Sequence, residues 1–149
     1  MPQVSDDDVM TGVRTRWAAV PALNTLVPAA RVYRDRAAES TPRPYAAVEV
    51  EEEDREYFSG SAFLAKYTVR VFVFTLAAAG DAAAIRQAVD TAFGGTLASP
   101  TAGLTVPNAT VAHCLARPGG AVKPTAERVD GSDAVQVAAV FEVLVQGTR

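Results

Sequence analysis

The chain is short of the side chains that build most catalytic and metal sites. Its 149 residues include one cysteine, Cys114, and one histidine, His113. A single cysteine forms no internal disulfide, and one Cys with one His supplies too few soft ligands for a structural zinc site. Neighbouring residues of a strand also point to opposite faces, which disfavours a Cys–His pair acting on one substrate. No catalytic constellation stands out in the sequence, and we expect neither a metal nor a cofactor.

The chain also lacks a basic excess and a long apolar run. Its formal net charge is −3, which disfavours a general nucleic-acid binder. The most apolar stretch, residues 69–79, is too short to cross a bilayer. The acidic start lacks the basic and apolar regions of a secretory signal. We expect a soluble cytoplasmic protein, and because no linker divides the chain, we expect residues 1–149 to form one domain with its own core.

An amphipathic helix is predicted over residues 6–20. Ser5 can cap its first N–H groups, and three aspartates follow at the positive end of the helix dipole. One apolar stripe runs along it, formed by Val9, Val13, Trp17 and Val20. Pro21 is expected to end this helix. A second helix is predicted between Asp81 and Gly94, with its apolar face formed by Ile85, Ala88, Val89 and Phe93.

Alternating patterns predict five strands, at residues 31–36, 45–51, 63–76, 110–116 and 134–146. The order α-β-β-β-α-β-β favours an α+β two-layer sandwich: a mainly antiparallel sheet of four to five strands with two helices on one face. The residues expected to face the helices are Val48, Val50, Val69, Val71, Val73, Val137, Phe141 and Val143. Val111, His113 and Leu115 should share one face. Residues 51–61, 96–109 and 118–133 are expected to be loops.

Charges are segregated along the chain. Residues 49–56 hold six acids and one base. Four consecutive acids, Glu51, Glu52, Glu53 and Asp54, could bind a hard cation, but they lack the ligand spacing of an EF-hand, and a solvated loop is the better interpretation. Residues 14–43 hold six arginines, including Arg31, Arg34 and Arg36. Surfaces of opposite charge favour head-to-tail pairing in a ring; ordinary variation of surface charge is the alternative.

The second face of the sheet is half apolar. Phe72 and Phe74 occupy adjacent positions on this face, beside polar residues. A solvated face does not need two phenylalanines there. Two interpretations stay open: residues 118–133 fold over the rings, or the rings lie at a subunit interface.

This layout resembles the small tail-terminator or tail-completion proteins of long-tailed bacteriophages. The resemblance spans about residues 9–146. It rests on the first helix with Pro21-Ala-Leu, on Arg31-Val-Tyr33 and on Pro44-Tyr45-Ala-Ala-Val-Glu-Val50. An acidic hairpin loop, the long strand with Tyr67-Thr-Val-Arg-Val-Phe-Val73, a second helix and the late Val135-Gln-Val complete it. The irregular segments 96–109 and 118–133 are where we expect this chain to depart from its relatives.

The resemblance implies a structural virion protein without catalytic residues. Such a protein forms a ring, usually a hexamer, that caps the head-proximal end of the tail tube, stops its polymerisation and joins it to the head connector or neck. DNA would pass the channel without sequence-specific binding, and assembly would occur in the host cytoplasm. The candidate contacts with a neighbouring subunit or partner are Glu51, Glu52, Glu53, Asp54, Arg31, Arg34, Arg36, Phe72 and Phe74.

Three alternatives remain from the sequence. The chain could be another neck or head–tail joining protein of the same particle. It could be a small-ligand-binding or enzymatic α+β domain, or a host protein that shares the layout. The acidic loop also has two possible positions in a ring: lining the channel, or against the arginines of the neighbouring copy.

Overall fold

The computed structural model describes residues 3–37, 41–58, 60–76, 81–129 and 132–148. Its elements, in chain order, are α1 (Asp6–Ala19), α2 (Pro21–Leu26), a 3₁₀ turn (Ala29–Arg31), β1 (Val32–Arg34), β2 (Tyr45–Tyr57), β3 (Ala62–Leu76), α3 (Ala82–Phe93), β4 (Thr110–Val129) and β5 (Ser132–Thr148). The strands form one sheet in the order β1-β2-β3-β5-β4. Only the β1–β2 pair is parallel. The α+β sandwich is confirmed, with three helices in the described chain rather than the two expected.

The helix α1 begins as its sequence predicts. Ser5 Oγ accepts a hydrogen bond from the Asp8 backbone N–H, and an Asp8 carboxylate oxygen accepts one from the Ser5 backbone N–H. These two bonds satisfy donors that the first turn leaves unpaired. The predicted stripe is buried at Val9, Val13 and Trp17.

The short helix α2 was missed. Pro21 was expected only to end the first helix, yet it is the first residue of the next one. Proline suits that position because its fixed φ is helical and its missing N–H would have no partner there. The Trp17 indole N–H then donates to the Val27 carbonyl at 2.8 Å, which ties α1 to the end of α2.

One face of the sheet, the inner face, packs against the helices. In β3 every second residue is buried along its whole length. All eight residues predicted to face the helices belong to this core; seven are fully buried and Val50 is half-buried against them. Aromatic rings join the two layers: Phe93 lies 6.1 Å from Trp17 and 5.6 Å from Phe141, between ring centroids.

Two predicted loops are strands, so these expectations were wrong. β2 continues through the acidic residues to Tyr57, and each of its residues except Glu53 has a partner on β3. Like charges do not prevent this, because the carboxylates project into water while the backbone pairs. Residues 118–129 continue β4, with register shifts at Arg117/Ala121 and Pro124/Arg128 that absorb its glycines and prolines. Residues 130 and 131 lie outside the described residues.

A further register shift changes the predicted faces of β4. The ladder slips between Val111 and His113. Val111 is therefore buried with Cys114, whereas His113 and Leu115 lie on the other face. The expectation that Val111, His113 and Leu115 share a face was wrong, because a bulge reverses the alternation.

Residues 96–109 are irregular, as predicted, but part of this segment is packed against the core. Leu104 and Val106 belong to the core. The segment passes so close to α1 that a Cβ at Gly12 would lie 2.3 Å from the Thr105 carbonyl oxygen.

Replacing Gly12 with alanine should therefore destabilise the fold. The added methyl group meets backbone, which cannot rotate away, so α1 must separate from Thr105. We expect the free energy of unfolding to fall by about 1–3 kcal/mol, measured by urea denaturation. Thr15→Ala, on the exposed side of the same helix, is the control and should change little. Equal effects of the two substitutions would contradict this packing.

Candidate functional site

The acidic residues form an exposed arm of the sheet rather than a loop. We call residues 51–56 of β2 the acidic arm. Glu51 accepts a hydrogen bond from Arg70 on β3 at 3.0 Å, and Glu52 pairs with Arg55. Glu53 occupies a bulge between Glu52 and Asp54.

Part of the charge on this arm has no ion-pair partner among the residues that the structure describes. Three of its exposed carboxylates form no ion pair within the described ranges; these are Glu53, Asp54 and Glu56. The acidic arm therefore exposes carboxylates that have no ion-pair partner among the described residues, whereas Glu51 and Glu52 each pair with an arginine.

Arg55 anchors the arm to the N-terminal segment. Its Nη2 donates to the Val4 carbonyl at 2.8 Å and to the Tyr67 hydroxyl at 2.9 Å. Its guanidinium also lies 5.0 Å from the centre of the Phe63 ring. Burial raises the pKa of the Tyr67 phenol to about 12, so it stays protonated at neutral pH. Sequence reasoning missed this residue, although a lone arginine among six acids was a signal that it had an internal partner.

The three candidate arginines do not form one surface. Arg34 forms an ion pair with Asp7 at the start of α1, on the helix side of the sheet. Arg36 is exposed and lies beside Phe72 and Phe74, on the opposite face. Arg31 is half-buried at the end of the 3₁₀ turn.

An aromatic groove of about 280 Å³ occupies one end of the outer face, the sheet face away from the helices. We define it by Tyr45, Phe72 and Phe74, with Arg36 and Gln136 at its sides. The rings of Tyr45 and Phe74 stack at 5.0 Å between centroids. The Arg43 guanidinium lies 5.8 Å from the centre of the Phe74 ring. Both phenylalanines are half-buried.

One of the two interpretations was that residues 118–133 fold over the rings of Phe72 and Phe74. Residues 118–129 do not do so. They extend β4, which pairs with β5 at the edge of the sheet. That interpretation was therefore wrong for these residues. The interface interpretation of Phe72 and Phe74 stays a prediction.

The other end of the outer face carries charges that neutralise one another. Glu142 lies 2.9 Å from His113 Nε2 and also pairs with Arg117. Cys114 faces the core, where its thiol donates to the Phe93 carbonyl, and burial raises its pKa to about 12. His113 and Cys114 therefore lie on opposite faces, as expected.

The described residues contain neither a cluster of metal ligands nor a helix that could span a membrane. No group of three or more His, Cys, Asp or Glu side chains there is arranged to hold a metal ion. None of the described helices has the length and apolar character needed to cross a bilayer.

The profile of a protein family described as "Tail completion protein gp17" matches residues 11–117. This chain therefore belongs to the tail completion protein family, and the resemblance drawn from its helix and strand layout is confirmed. It is a structural component of a phage-type tail and thus of a virion.

Solved structures share the fold. A chain in a structure titled "Virion of native gene transfer agent (GTA) particle" superposes with a TM-score of 0.59 at 19% identity, covering 97% of this chain and 96% of that one. At this identity the likeness shows the fold alone. A second solved chain has a TM-score of 0.45 at 14% identity, covering 90% of this chain and 94% of that one, and supports no argument. No curated protein matches this chain.

Removing the anchor of the acidic arm should destabilise the protein. Arg55→Met keeps the apolar stem but leaves the Val4 carbonyl and the Tyr67 hydroxyl without their charged donor. We expect a loss of about 1–3 kcal/mol in the free energy of unfolding, measured by urea denaturation. Glu53→Gln in the same arm removes an exposed charge and should stay within about 0.5 kcal/mol of the parent. If the free energy of unfolding falls for Glu53→Gln but not for Arg55→Met, Arg55 does not anchor the arm.

Proposed function

We propose that this protein is the ring-forming terminator of a phage-type tail tube. It caps the head-proximal end of the tube, stops polymerisation and joins the tail to the head connector or neck. The observation that carries the proposal is the family match over residues 11–117. The exposed acidic arm and the aromatic groove support it, since both surfaces lie outside the core of the single protomer.

The ring has about six copies and is built by the whole of residues 1–149 acting as one domain. Each copy offers unlike surfaces, so contacts between copies are head-to-tail and close by rotation. The free protein can remain monomeric and assemble on the tube end as a template. The tube protein and the head connector are its partners, DNA passes through its channel without sequence-specific contacts, and it needs no catalytic centre. Assembly takes place in the host cytoplasm.

The acidic arm has two possible positions in this ring. Facing the channel, six arms would repel DNA phosphates, and screening over about 8 Å at physiological salt would limit their mutual repulsion. Facing a neighbouring copy, the six arms would attract its positively charged side chains. We place the arm at the contact between copies, because Glu53, Asp54 and Glu56 carry charge that the described part of the protomer does not neutralise.

The decisive experiment removes the gene from a producing strain and images the particles. Tubes without a terminator should grow to irregular lengths and lack heads. Expression of the intact chain should restore uniform length, with a ring of density at the head-proximal end. Tails of normal length that lack only their heads would instead indicate a neck or joining protein. A single copy at the tube end, or no ring, would exclude the terminator role.

The aromatic groove supplies a separate prediction about the ring. Phe72→Asp and Phe74→Asp should prevent ring formation, because a charge buried in an apolar contact without a partner costs several kcal/mol. Ring occupancy on tube ends, counted by electron microscopy, measures the effect. Leu97→Asp, at an exposed apolar residue outside both the groove and the acidic arm, is the control and should assemble.

The thermal stability of the free variants separates an interface from a core. Half-buried rings at an interface predict monomers that melt close to the parent temperature. If Phe72→Asp and Phe74→Asp unfold the monomer, the rings belong to the chain's own core and the interface claim fails.

A further inference from the structure

The turn between β2 and β3 exposes two neighbouring aromatic rings. Phe58 is 53% exposed, and Tyr57 beside it is 46% exposed. We call these two residues the hairpin tip. The Phe58 N–H donates to the Ala62 carbonyl across the turn, and a Cβ added at Gly60 would touch nothing within 4 Å. The tip therefore stands in open surroundings, where a partner that covers its rings removes apolar surface from water.

Carboxylates accompany the hairpin tip on the outer face. Asp54 and Glu56 are in register with Lys66 and Leu64 of β3, which lie on the face away from the core. Neither carboxylate forms an ion pair with a described residue. The aromatic groove opens on the same face of the sheet. The tip thus combines exposed rings with negative charge on the side where the groove lies.

The aromatic groove has room for one ring of a partner. Its volume is about 280 Å³, whereas a cavity of about 150 Å³ is large enough to bind benzene. Tyr45, Phe72 and Phe74 supply the ring faces and edges against which a further aromatic ring packs well. An aromatic side chain is therefore a suitable occupant in both size and chemistry.

Charge around the groove is balanced overall and positive at one side. Arg36 is exposed there and forms no ion pair with a described residue. Asp35 and Glu49 also line the groove, and Arg43 lies over its rings, so the formal charges cancel. A carboxylate is attracted only beside an arginine. Charge therefore orients the occupant, while burial of its ring supplies most of the affinity.

One copy cannot fill its own groove. Tyr45 begins β2 and stacks on Phe74 in the groove, whereas Tyr57 ends the same strand. At about 3.3 Å per residue, β2 separates the groove from the hairpin tip by about 40 Å. The occupant of the groove therefore comes from another molecule.

The charge at Arg36 distinguishes between the exposed apolar residues that a second copy offers. The described chain has four large ones, Tyr57, Phe58, Leu97 and Val122. Leu97 lies in an uncharged stretch of sequence, and Val122 is followed by a cation, Lys123. Only the two residues of the hairpin tip have a carboxylate within two positions, that of Glu56. The tip is therefore the element of this chain that matches the groove in both ring and charge.

We infer that the hairpin tip of one copy fills the aromatic groove of the next copy. The Phe58 ring packs against Phe72 and Phe74. Glu56 then lies beside Arg36 of the neighbouring copy. The inference rests on the proposed ring and specifies its contact. A tip and a groove are unlike surfaces at opposite ends of one strand, so the contact runs head-to-tail and closes by rotation.

A disulfide between copies tests this contact directly. Glu56→Cys with Arg36→Cys in one chain keeps every aromatic ring and replaces the inferred ion pair. The Asp35 N–H bonds to the Val48 carbonyl, so the two positions are about 25 Å apart within one copy, beyond the reach of about 7 Å that a disulfide allows between Cα atoms. Oxidation on purified tail tubes should give linked species up to the full ring on a non-reducing denaturing gel.

The chain offers a matched control for the disulfide. Glu56→Cys with Arg14→Cys keeps the tip thiol and moves the second thiol to an exposed arginine position on α1. This variant should remain a single chain on the gel. The native thiol of Cys114 is buried and does not compete.

Removal of the tip ring tests the same contact without cysteines. Phe58→Ser should lower ring occupancy on tube ends by about tenfold or more, because the residue that anchors an interface carries much of its affinity. Phe58→Tyr keeps a ring and should stay within about threefold of the parent. Leu97→Ser removes another exposed apolar side chain and should assemble like the parent. Circular dichroism confirms that each variant is folded, which the exposure of both residues favours.

The outcomes separate this contact from the proposed function. If the parent forms rings but Phe58→Ser assembles equally well, or no disulfide links Glu56→Cys to Arg36→Cys, the contact is wrong and the proposed function stands. Linked species that stop at two copies would indicate a reciprocal pair and would also overturn the head-to-tail contact. If the parent forms no ring on tube ends, both the contact and the proposed function fail.

Discussion

The alternation of β3 fixes the rest of the structure. Between Ala62 and Leu76 every second side chain is buried, and the strand pairs with β2 on one side and β5 on the other. A slip of one residue would move Val69, Val71 and Val73 from the core into water. The burial of this one strand therefore determines the register of the sheet. It also determines where α3 packs and which side chains point to the outer face.

A two-layer sandwich covers only one face of such a sheet. At the charged end of the outer face, acidic and basic side chains pair with each other: Arg70 with Glu51, and Arg117 with Glu142. The aromatic end has no equivalent: Phe72 and Phe74 are half-buried beside a groove. Water tolerates a self-neutralised charged surface well and an apolar groove poorly. The aromatic end of the outer face is therefore the surface whose burial in the proposed ring would gain most from the hydrophobic effect.

The sequence pattern correctly predicted the helices and strands in which apolar residues recur with a regular period. It failed where pairing with a strand distant in sequence overrides the local preference. α1, α3, β3 and the core residues were predicted correctly, because their apolar spacing has one solution. The acidic arm was assigned to a loop, but its backbone is held by β3, a constraint that is invisible in residues 51–56 themselves. In β4, prolines and glycines indicated a loop where bulges keep the pairing with β5. The sequence predicted that the candidate acids and phenylalanines lie at the surface. Only the three-dimensional structure shows that Arg34 and Arg36 lie on opposite faces of the sheet.

Charge on the edges also bears on when this protein assembles. An open sheet edge is an aggregation hazard, and like charge with a bulge is how natural sheets avoid unwanted pairing. β2 carries a net charge of −5, so it repels a second copy of itself, and a symmetric contact between two β2 strands is disfavoured. Surface ion pairs are individually weak, about 0–1 kcal/mol, so one such contact holds two free copies poorly. A tube end that aligns several copies raises their effective concentration, and the same weak contacts then suffice to close a ring. In the proposed function, this weakness keeps the free chain from polymerising before a tube is present to be capped.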